Sequence, residues 1–435
     1  MIFSSIGRGL FVGIYQRVAD QLVYPAAHAY VALQSRMNWF KSLGKADKVF
    51  YSSAYQGQKI VLMALYQKGA IRNDVIHFLR AAKDLGLYVV CVNTLKVKSP
   101  DQYKDVIDCY IEKYNYGRDF GSYKSGFKYL YSSGLAEQCP RMLLVNDSVF
   151  FSRKHNVRFL EEMFDSSVEV LGATENYEIE HHLGSFCIAL SGGVLNHPKL
   201  KKYWRKYRCT DVRPVVIKTG EMALSKTLKR IVSSPENFKS LYDTERASTL
   251  LHSNETVLED IAHLSRTSTL SLAPRFSFSA VSKEVISKYL HSPAAIAGVS
   301  ALNADFESLS EIEVHYADSL TGFSEFVCGA VTNSSSASES IRGTVKGEVI
   351  SKFIGCFMHG SQIHQNGIFL HRIGLPIIKL DGVYRGMFSP SDIEKLALDL
   401  EPDQRGEFRW IMYSRPYGGD VLYGWKRAAF SRGLI

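Results

Sequence analysis

The sequence predicts an α/β fold in which a mostly parallel sheet is flanked by helices, with a helical or irregular C-terminal region. Two short apolar runs, at 48–53 and 87–94, enclose a segment at 73–85 whose apolar residues recur at helical spacing. A third apolar run, at 141–145, follows a second helical pattern. Strands that alternate with helices over short connections are typical of right-handed parallel crossovers. These three runs therefore predict a parallel sheet.

The first 44 residues are predicted to form a separate N-terminal segment. An amphipathic helix is expected from Ile6 to Leu22, with Pro25 as its stop. Arg8 and Arg17 interrupt its apolar stretch, which therefore falls short of the roughly 20 apolar residues that cross a bilayer. Packing against the rest of the chain and docking on a membrane surface both remain open for this helix.

The alternation of strands and helices is expected to extend over residues 45–232. Phe120, Tyr123 and Phe127 recur at helical spacing, which predicts a helix from about Asp119 to about Gly134. Later elements follow the same alternation. They are a helix at 157–164, strands at 168–173 and 185–190, and a helix that starts at Gly220.

The pattern weakens in the next part of the chain, 233–344, where mixed helices and loops are expected. Its Ser-rich run, 332–340, is predicted to be a flexible linker. Order returns in 345–435, with a strand-like apolar run at 374–381. This last segment is expected to complete or cap the domain formed by residues 45–232.

The composition is that of a globular protein of 435 residues with a modest basic excess. Lys and Arg number 52 against 43 Asp and Glu, a net charge of +9, which favours nucleic acid, anionic lipid or phosphorylated ligands without choosing among them. The seven cysteines stand singly, with no Cys-x-x-Cys pair, so neither a disulfide framework nor a zinc cluster is indicated. A reducing cytoplasm is the natural location.

Polar residues follow the apolar run at 141–145 directly, as Asn146, Asp147 and Ser148. Ligands of open α/β sheets collect outside the carboxyl ends of the strands. Asn146 and Asp147, together with Ser52, Ser53 and Asn93 at the ends of two earlier runs, are therefore expected to face one crevice. A carboxylate there can bind a divalent cation, which can in turn bridge two phosphates. The alternative is that Asp147 only shapes the turn.

A glycine-rich turn precedes the predicted helix at 119–134. Gly117 and Gly121 allow the backbone to approach a ligand closely, and Arg118 offers a forked donor to phosphate or carboxylate. Asp119 also has the residue type and position of an ordinary helix N-cap. The turn lacks the pattern of a Walker loop and matches only part of a dinucleotide-binding motif.

Together these motifs resemble a known family. Asn115-x-Gly117-Arg118-Asp119, then a helix, an apolar strand and Asn-Asp-Ser at 146–148, resemble the rhamnan synthesis protein F family of glycosyltransferases. More distantly they are similar to GT-A glycosyltransferases, such as those of family 2, in which a strand ends in Asp-x-Asp. Segments 182–191, 220–225 and 374–379, together with His364, agree with the same family in order.

The resemblance implies a GT-A-like, Rossmann-type fold in which residues 45–232 bind a nucleotide sugar and catalyse its transfer. The reaction would move a hexose or deoxyhexose, rhamnose by the family name, from a nucleotide diphosphate to a growing bacterial surface polysaccharide of the O-antigen, capsule or rhamnan type. The acceptor would be a glycan or a lipid-linked glycan. Peripheral contact with the inner face of the cytoplasmic membrane is a further expectation, and nucleic acid is not an expected partner.

The resemblance also implies roles for single residues. Asp147 would bind the metal or the diphosphate, and Glu221 would be the base that takes the acceptor proton in an inverting reaction. Glu221 follows a glycine at a predicted helix start, where a carboxylate also stabilises the helix dipole. Donor binding falls to Asn115, Gly117, Arg118, Asp119, Asn146, Ser148, His364 and Lys379, and the acceptor side to His182 and Ser185.

The Asp-x-Asp-like position holds one carboxylate, Asp147, so the expectation of Mg²⁺ or Mn²⁺ rests on a single ligand. Adjacent His181 and His182 would point to opposite faces of a strand, so at most one of them faces a ligand. Two other classes of function remain open. They are a catalytically silent glycan-binding or scaffold protein of polysaccharide assembly and a basic nucleic-acid-binding protein, although the basic residues match no nucleic-acid module.

Overall fold

An eight-stranded mixed sheet forms the centre of the protein. The computed structural model describes residues 19–262, 335–414 and 422–435, with 276, 281, 284, 320–322 and 324–325. The strands of the sheet are β1 (Lys48–Ser52), β2 (Ile60–Leu65), β3 (Tyr88–Asn93), β4 (Cys109–Glu112), β5 (Arg141–Asn146), β7 (Val170–Gly172), β10 (Cys187–Ser191) and β11 (Phe238–Ser240). They have the order β1-β4-β3-β2-β5-β10-β7-β11. Strands β8 (Glu175–Asn176) and β9 (His182–Leu183) form a separate pair.

Parallel pairing prevails in the half of the sheet that the motifs occupy. β4, β3, β2 and β5 are parallel neighbours, as are β7 and β11. β1 is antiparallel to β4, and β10 is antiparallel to both β5 and β7. The predicted α/β class, with a mostly parallel sheet between helices, is confirmed.

Helices cover both faces of the sheet. Alternate residues of β2 and β5 enter two separate apolar cores, as the two-residue repeat of a strand requires. Helices Asn73–Asp84 and Asn156–Asp165 pack in one core, and helix Arg118–Ser132 packs in the other. The other α-helices of the described residues are Tyr24–Ser42, Leu135–Gln138, Gly192–Asn196, Pro198–Lys206, Arg213–Val216, Ala223–Lys229, Thr244–Ser253, Glu255–Ala262, Ser335–Phe357, Gln362–Gln365, Gly367–Arg372, Pro390–Asp399, Arg405–Tyr413 and Gly424–Ser431.

The central strand, β2, is one that the sequence analysis did not identify. All six of its residues are buried, as expected for a parallel strand covered on both faces. The run 48–53, taken as the first buried strand, instead forms the exposed edge strand β1. The first parallel crossover therefore runs from β2 through helix Asn73–Asp84 to β3.

Two predictions about helix boundaries were wrong. Pro25 does not stop a helix; it lies in the first turn of helix Tyr24–Ser42, where its missing N–H has no intrahelical partner to lose. The Ser-rich run 332–340 does not remain a linker, because helix Ser335–Phe357 begins within it. Burial of Val345, Val349, Phe353 and Phe357, spaced by four residues, outweighs the weak helix preference of serine.

Most of the helix Ile6–Leu22 predicted at the N-terminus lies outside the described residues. No helix in the described part of the chain is long and apolar enough to cross a membrane. The proposed domain boundaries at 44, 232 and 344 stay predictions.

The C-terminal region returns to the central sheet. Strand β12 (Ile377–Lys379) pairs antiparallel with β6 (Val149–Phe151), and Lys379 lies opposite Val149. Only two residues, Asp147 and Ser148, separate β6 from β5, whose last residue is Asn146. A residue near position 379 thus comes to lie beside the end of β5.

One edge of the sheet combines the features of a ligand crevice. The carboxyl ends of β2, β3, β4 and β5 meet there, and the strand order reverses at β2, with β3 on one side and β5 on the other. Such a switch point is where open α/β sheets bind ligands. β10 runs the other way, so its amino end reaches this edge as Cys187 pairs with Val145.

Ser52 and Ser53 do not face this crevice, contrary to expectation. β1 is antiparallel to β4, and Ser52 lies opposite Cys109 at the start of β4. Ser52 also lies 3.2 Å from the Tyr88 hydroxyl, at the start of β3. Both serines therefore lie at the opposite edge of the sheet.

Candidate functional site

The glycine-rich turn leads into helix Arg118–Ser132 through two left-handed residues. Gly117 has φ 93° and Arg118 has φ 52°, a conformation that is uncommon for a non-glycine residue and clusters at functional sites. A Cβ at Gly117 would lie 2.7 Å from the Cβ of Cys209. Glycine is therefore required at 117 for both backbone conformation and space.

Asp119 is not the N-cap that its position suggested. Gly117 occupies that place, and the helix begins at Arg118. Asp119 is the second residue of this helix, and Asn146 Nδ2 donates to Asp119 Oδ2 at 3.1 Å. Arg118 and Asn115 are exposed on the turn.

The Asp211 side chain stabilises the glycine-rich turn by hydrogen bonds. The Gly117 N–H donates to Asp211 Oδ1 at 2.7 Å, and Asn38 Nδ2 donates to Asp211 Oδ2 at 3.0 Å. Lys113 adds a hydrogen bond from its ammonium group to the Tyr116 carbonyl at 2.6 Å. The Asp211 carboxylate thus links helix Tyr24–Ser42 to the glycine turn, because it accepts hydrogen bonds from both.

A continuous chain of hydrogen bonds joins the turn to the C-terminal region. Ser148 Oγ donates to Asn146 Oδ1 at 2.6 Å, and Lys379 Nζ donates to Ser148 Oγ at 3.2 Å. With the bond from Asn146 to Asp119, four residues predicted for donor binding lie in contact. The structure brings these four together across 260 positions of sequence, from Asp119 to Lys379.

Glu221 lies in the same crevice. His182 Nε2 is 3.9 Å from Glu221 Oε2, and the glutamate side chain is 24% exposed. Burial, and then the negative charge of Asp119, raise the pKa of Glu221 to about 7, although Lys379, Arg213 and a hydrogen bond with Ser185 oppose the shift. The predicted acceptor-side residues, His182 and Ser185, both adjoin this carboxyl group.

Glu221 does not open a helix, contrary to expectation. It lies in a π-helical turn, Ile217–Met222, that continues helix Arg213–Val216 and leads into helix Ala223–Lys229. Stabilisation of a helix start by its charge therefore does not explain it. A Cβ at Gly220 would lie 2.9 Å from the Phe120 ring, so this glycine allows the π turn to approach the start of the helix that carries Asp119.

The two neighbouring histidines point in different directions, as the sequence predicted. His182 is buried and its Nδ1 lies 2.7 Å from the Glu180 carbonyl. Burial lowers its pKa, which favours a neutral ring beside Glu221. His181 instead lies 3.5 Å from Glu175, outside this cluster.

Cationic side chains surround the crevice carboxylates. Burial lowers the pKa of Lys379, while Asp381, Glu221 and Asp119 favour its charge. Burial and then the charge of Arg385 also lower the pKa of Arg213, whose electrostatic neighbours include Glu221 and Arg118. The crevice therefore contains fixed positive charge close to Glu221.

His364 belongs to this region through Asp381. His364 Nε2 lies 3.3 Å from Asp381 Oδ1, and Arg385 Nε lies 2.8 Å from Asp381 Oδ2. Burial alone would raise the pKa of Asp381, but His364, Lys379 and Arg385 hold it well below its usual range. Asp381 is thus an ionised anchor for the cations.

Asp147 occupies a different environment from Glu221. Only 8% exposed, it accepts the Tyr66 N–H at 2.8 Å on Oδ2 and contacts Gln67 Nε2 with the same oxygen. Burial raises its pKa, and Arg72 and Gln67 oppose the shift. Asp147 therefore holds the two residues that follow β2 by hydrogen bonds. The carboxylate that lies with Glu221 in the crevice is Asp119.

Within the described residues, no group of three His, Cys, Asp or Glu side chains lies close enough to hold a metal ion. At Asp147 itself, one carboxylate oxygen is already bonded to Tyr66 and Gln67.

Sequence reasoning missed three residues of the crevice. Tyr66 follows β2 directly and is 62% exposed, so recognition of the apolar run 60–65 as a strand would have found it. Asp381 lies within the apolar run at 374–381 but was given no role. No local sequence pattern identifies Arg213 as a crevice residue, because its position depends on how the π turn packs.

The comparisons with known proteins agree with the motifs. Residues 87–289 match the family model described as rhamnan synthesis protein F. An uncharacterized protein, y4gN, of Sinorhizobium fredii (strain NBRC 101917 / NGR234) is 26% identical over 206 residues, which cover 43% of this chain and 53% of that protein. A virulence protein, VirA, of Vibrio anguillarum is 29% identical over 119 residues, which cover 27% of this chain and 38% of that protein.

The chain therefore spans about half or less of the length of the curated relatives that it matches. Among solved structures, the glycosyltransferase GlyE of Streptococcus pneumoniae TIGR4 aligns with 12% identity and a TM-score of 0.26, over 47% of this chain and 51% of that one. The family match includes the glycine turn, β5 and Glu221. It confirms that this chain resembles the rhamnan synthesis protein F family over the segment that builds most of the crevice.

Proposed function

We propose that this protein is a glycosyltransferase of polysaccharide synthesis that transfers a sugar from a nucleotide diphosphate donor to a glycan hydroxyl. The observation that carries the proposal is a carboxyl group with a pKa of about 7, Glu221, beside the fixed cations of a switch-point crevice. The match of residues 87–289 to the rhamnan synthesis protein F family supports the same class.

Glu221 is the proposed general base. A base is most effective when its pKa lies near the working pH, and burial together with Asp119 raises the pKa of Glu221 to about 7. In an inverting transfer, the acceptor hydroxyl gives its proton to this carboxylate while its oxygen attacks the anomeric carbon. The bond from that carbon to the diphosphate breaks, and the diphosphate leaves with the electron pair. Neutral His182 and Ser185 would position the acceptor.

The leaving diphosphate needs compensating positive charge. Lys379 and Arg213 are the proposed source, and Arg118 lies on the turn beside Arg213. Asp381, with His364 and Arg385, would keep these cations in place. Assistance by Mg²⁺ or Mn²⁺ at Asp147 remains a prediction, but the single carboxylate with one oxygen already bonded fits such a site poorly, so the proposed mechanism has no step through a metal.

The donor side of the crevice is assigned to the turn and the end of β5. In this proposal, Asn115, Gly117 and Arg118 contact the donor from the glycine turn, and Asn146 and Ser148 contact it from the end of β5. Tyr66 adds an exposed aromatic ring at the end of β2, on which a nucleobase or a sugar ring can stack. A GT-A-like arrangement of donor and acceptor is part of this proposal.

The finer identity of the substrates rests on the family resemblance. The proposed sugar is a hexose or deoxyhexose, with rhamnose as the first candidate. The proposed acceptor is a glycan of the cell envelope, such as a lipopolysaccharide O-antigen, carried on a lipid at the inner face of the cytoplasmic membrane. A cytoplasmic location and the absence of a nucleic-acid partner belong to the same proposal.

A panel of nucleotide sugars tests the proposal. Release of nucleoside diphosphate is measured with each donor, alone and with a cell-envelope extract as acceptor. Release by the wild type and its loss in Glu221→Gln are expected, with Glu180→Gln as the matched control because Glu180 pairs with Lys226 outside the cluster. Equal release by all three proteins would refute Glu221 as the base. If no donor reacts and no nucleoside diphosphate raises Tm, with or without manganese, the scaffold alternative is correct.

A further inference from the structure

Helix Tyr24–Ser42 has a buried side and an exposed apolar stripe. On the buried side, Ala27 belongs to a small core with Val212, Ala429 and Leu434, and Ser35 is also buried. The stripe faces solvent and is formed by Tyr30, Leu33, Met37 and Phe40, which are 52%, 58%, 47% and 56% exposed. Their spacing of three, four and three residues aligns them along one side of the helix.

The final helix, Gly424–Ser431, extends this exposed surface. It packs beside helix Tyr24–Ser42, and the Trp425 ring lies 5.9 Å from the Tyr30 ring. Trp425 is itself 42% exposed, as is Trp39 near the other end of the stripe. We call the four stripe residues, with Trp39 and Trp425, the aromatic face.

The two helices that form the aromatic face carry charges of one sign. Helix Tyr24–Ser42 contains Arg36 and Lys41 and no acidic residue, and helix Gly424–Ser431 contains Lys426 and Arg427 and no acidic residue. Arg36, Lys41 and Lys426 are exposed. An apolar surface with tryptophan at its margin and lysine or arginine around it has the chemistry of an interfacial helix on anionic lipid.

A second copy of the chain is a poorer occupant of this face. Two such faces brought together would place arginine and lysine against arginine and lysine, which opposes association. An anionic membrane attracts the same charges and accepts the apolar side chains. Charge complementarity therefore favours lipid.

We propose that the aromatic face, formed by helices Tyr24–Ser42 and Gly424–Ser431, docks this protein on an anionic lipid surface. The assignment differs from the helix 6–22 expected from sequence. It does not depend on the transfer reaction, since it rests on exposed side chains outside the crevice. It would bring the crevice to a lipid-carried acceptor if the proposed function is correct.

Co-sedimentation with vesicles tests this proposal directly. The full chain is mixed with vesicles of phosphatidylcholine alone or of phosphatidylcholine with phosphatidylglycerol, at low and high salt. Binding is expected only with phosphatidylglycerol, and it should weaken at high salt. A blue shift of tryptophan fluorescence should accompany it, since Trp39 and Trp425 enter the lipid.

Two variants separate the contribution of apolar side chains to vesicle binding from the contribution of positive charge. A triple variant, Leu33→Ser, Met37→Ser and Phe40→Ser, should lose binding, and Arg36→Glu with Lys41→Glu should weaken it roughly tenfold or more. Trp410→Ser is the matched control, because Trp410 is 74% exposed on another helix. These are surface positions, so all variants should retain the wild-type Tm.

Several results would overturn the proposal. They are equal sedimentation with both vesicle types, no effect of either variant, or a wild-type dimer that becomes a monomer in the triple variant. Binding by a chain that lacks residues 1–18, but not by the full chain, would show that those residues cover the face. None of these outcomes changes donor hydrolysis, so failure here is distinguishable from failure of the proposed function.

Discussion

At the scale of single residues, the crevice is defined by two carboxyl groups that influence each other. Asp119 is bonded to Asn146, and its charge contributes to the raised pKa of Glu221. A base that must accept a proton near neutral pH gains from this repulsion, because a carboxylate at its ordinary pKa is a weak base.

The pH dependence of turnover should report this coupling. Wild-type turnover is expected to rise with pH and reach a plateau above about pH 7, where Glu221 is ionised. Asp119→Asn removes the repulsion while its amide oxygen can still accept from Asn146, so the midpoint should move to lower pH. The measurement is kcat against pH for both proteins, and an unmoved midpoint would contradict the assigned coupling.

Glu221 should also make stability depend on pH. Its pKa rises from 4.5 in the unfolded chain to about 7 in the folded protein, so its stabilising contribution is fully present below pH 4.5 and is lost as pH rises through about 7. Glu221→Gln should therefore be more stable than wild type at pH 8, by about 3 kcal/mol at most, with the difference vanishing near pH 4. Urea unfolding at both pH values measures this, and an equal difference between the two proteins at pH 4 and pH 8 would contradict the raised pKa of Glu221.

Asp147 offers a clear choice between a structural and a chemical role. Asp147→Ala removes the acceptor of the Tyr66 N–H and of Gln67, and we expect the free energy of unfolding to fall by about 1–3 kcal/mol. Urea unfolding provides the measurement. Unchanged stability with abolished turnover would instead support the metal or diphosphate role expected from the sequence.

At the scale of elements, helix Tyr24–Ser42 supports the glycine turn through Asn38 and Asp211. The single change Asn38→Asp places two carboxylates together, so the KM for donor should rise several-fold as the turn is displaced. In the double variant with Asp211→Asn, the new amide at 211 can donate to the new carboxylate at 38, which reverses the direction of the original hydrogen bond. The amide oxygen at 211 can still accept from the Gly117 N–H. The swap should recover KM, and steady-state kinetics check it. A swap as impaired as the single variant would show that the pairing is not what matters.

The elements themselves could be predicted where burial and local pattern agreed. Helix Arg118–Ser132 and strand β5 lie within a few residues of their expected positions. β2 was missed because a short continuous apolar run cannot be told from a buried helix segment by periodicity alone, and its last four residues, Leu, Met, Ala and Leu, also favour helix. Pro25 was misjudged because proline occurs both where a helix stops and in the first turn of a helix. The residue type alone does not distinguish these two positions.

At the scale of the whole molecule, the site could be predicted only in part. The glycine turn and the residues 146–148 carry local signals, and Glu221 and Lys379 were indicated by the family resemblance. Their contact could not be predicted, because Lys379 and Ser148 are 231 positions apart. The position of Arg213 in the crevice depends on how helices pack, and so does the separation of Asp147 from Glu221. No short stretch of sequence specifies this packing.

The pairing of β12 with β6 has a consequence for the order of events during synthesis. Chains emerge from the ribosome amino end first, and their early parts begin to fold before the rest exists. The sheet from β1 to β11 can form while Lys379, its neighbour Asp381 and strand β12 are still untranslated. The edge of β6 stays open until then, and such an edge invites wrong pairing. A nascent chain arrested before residue 377 should therefore be inactive and prone to aggregate, and the crevice gains its lysine only after residue 379 has been translated.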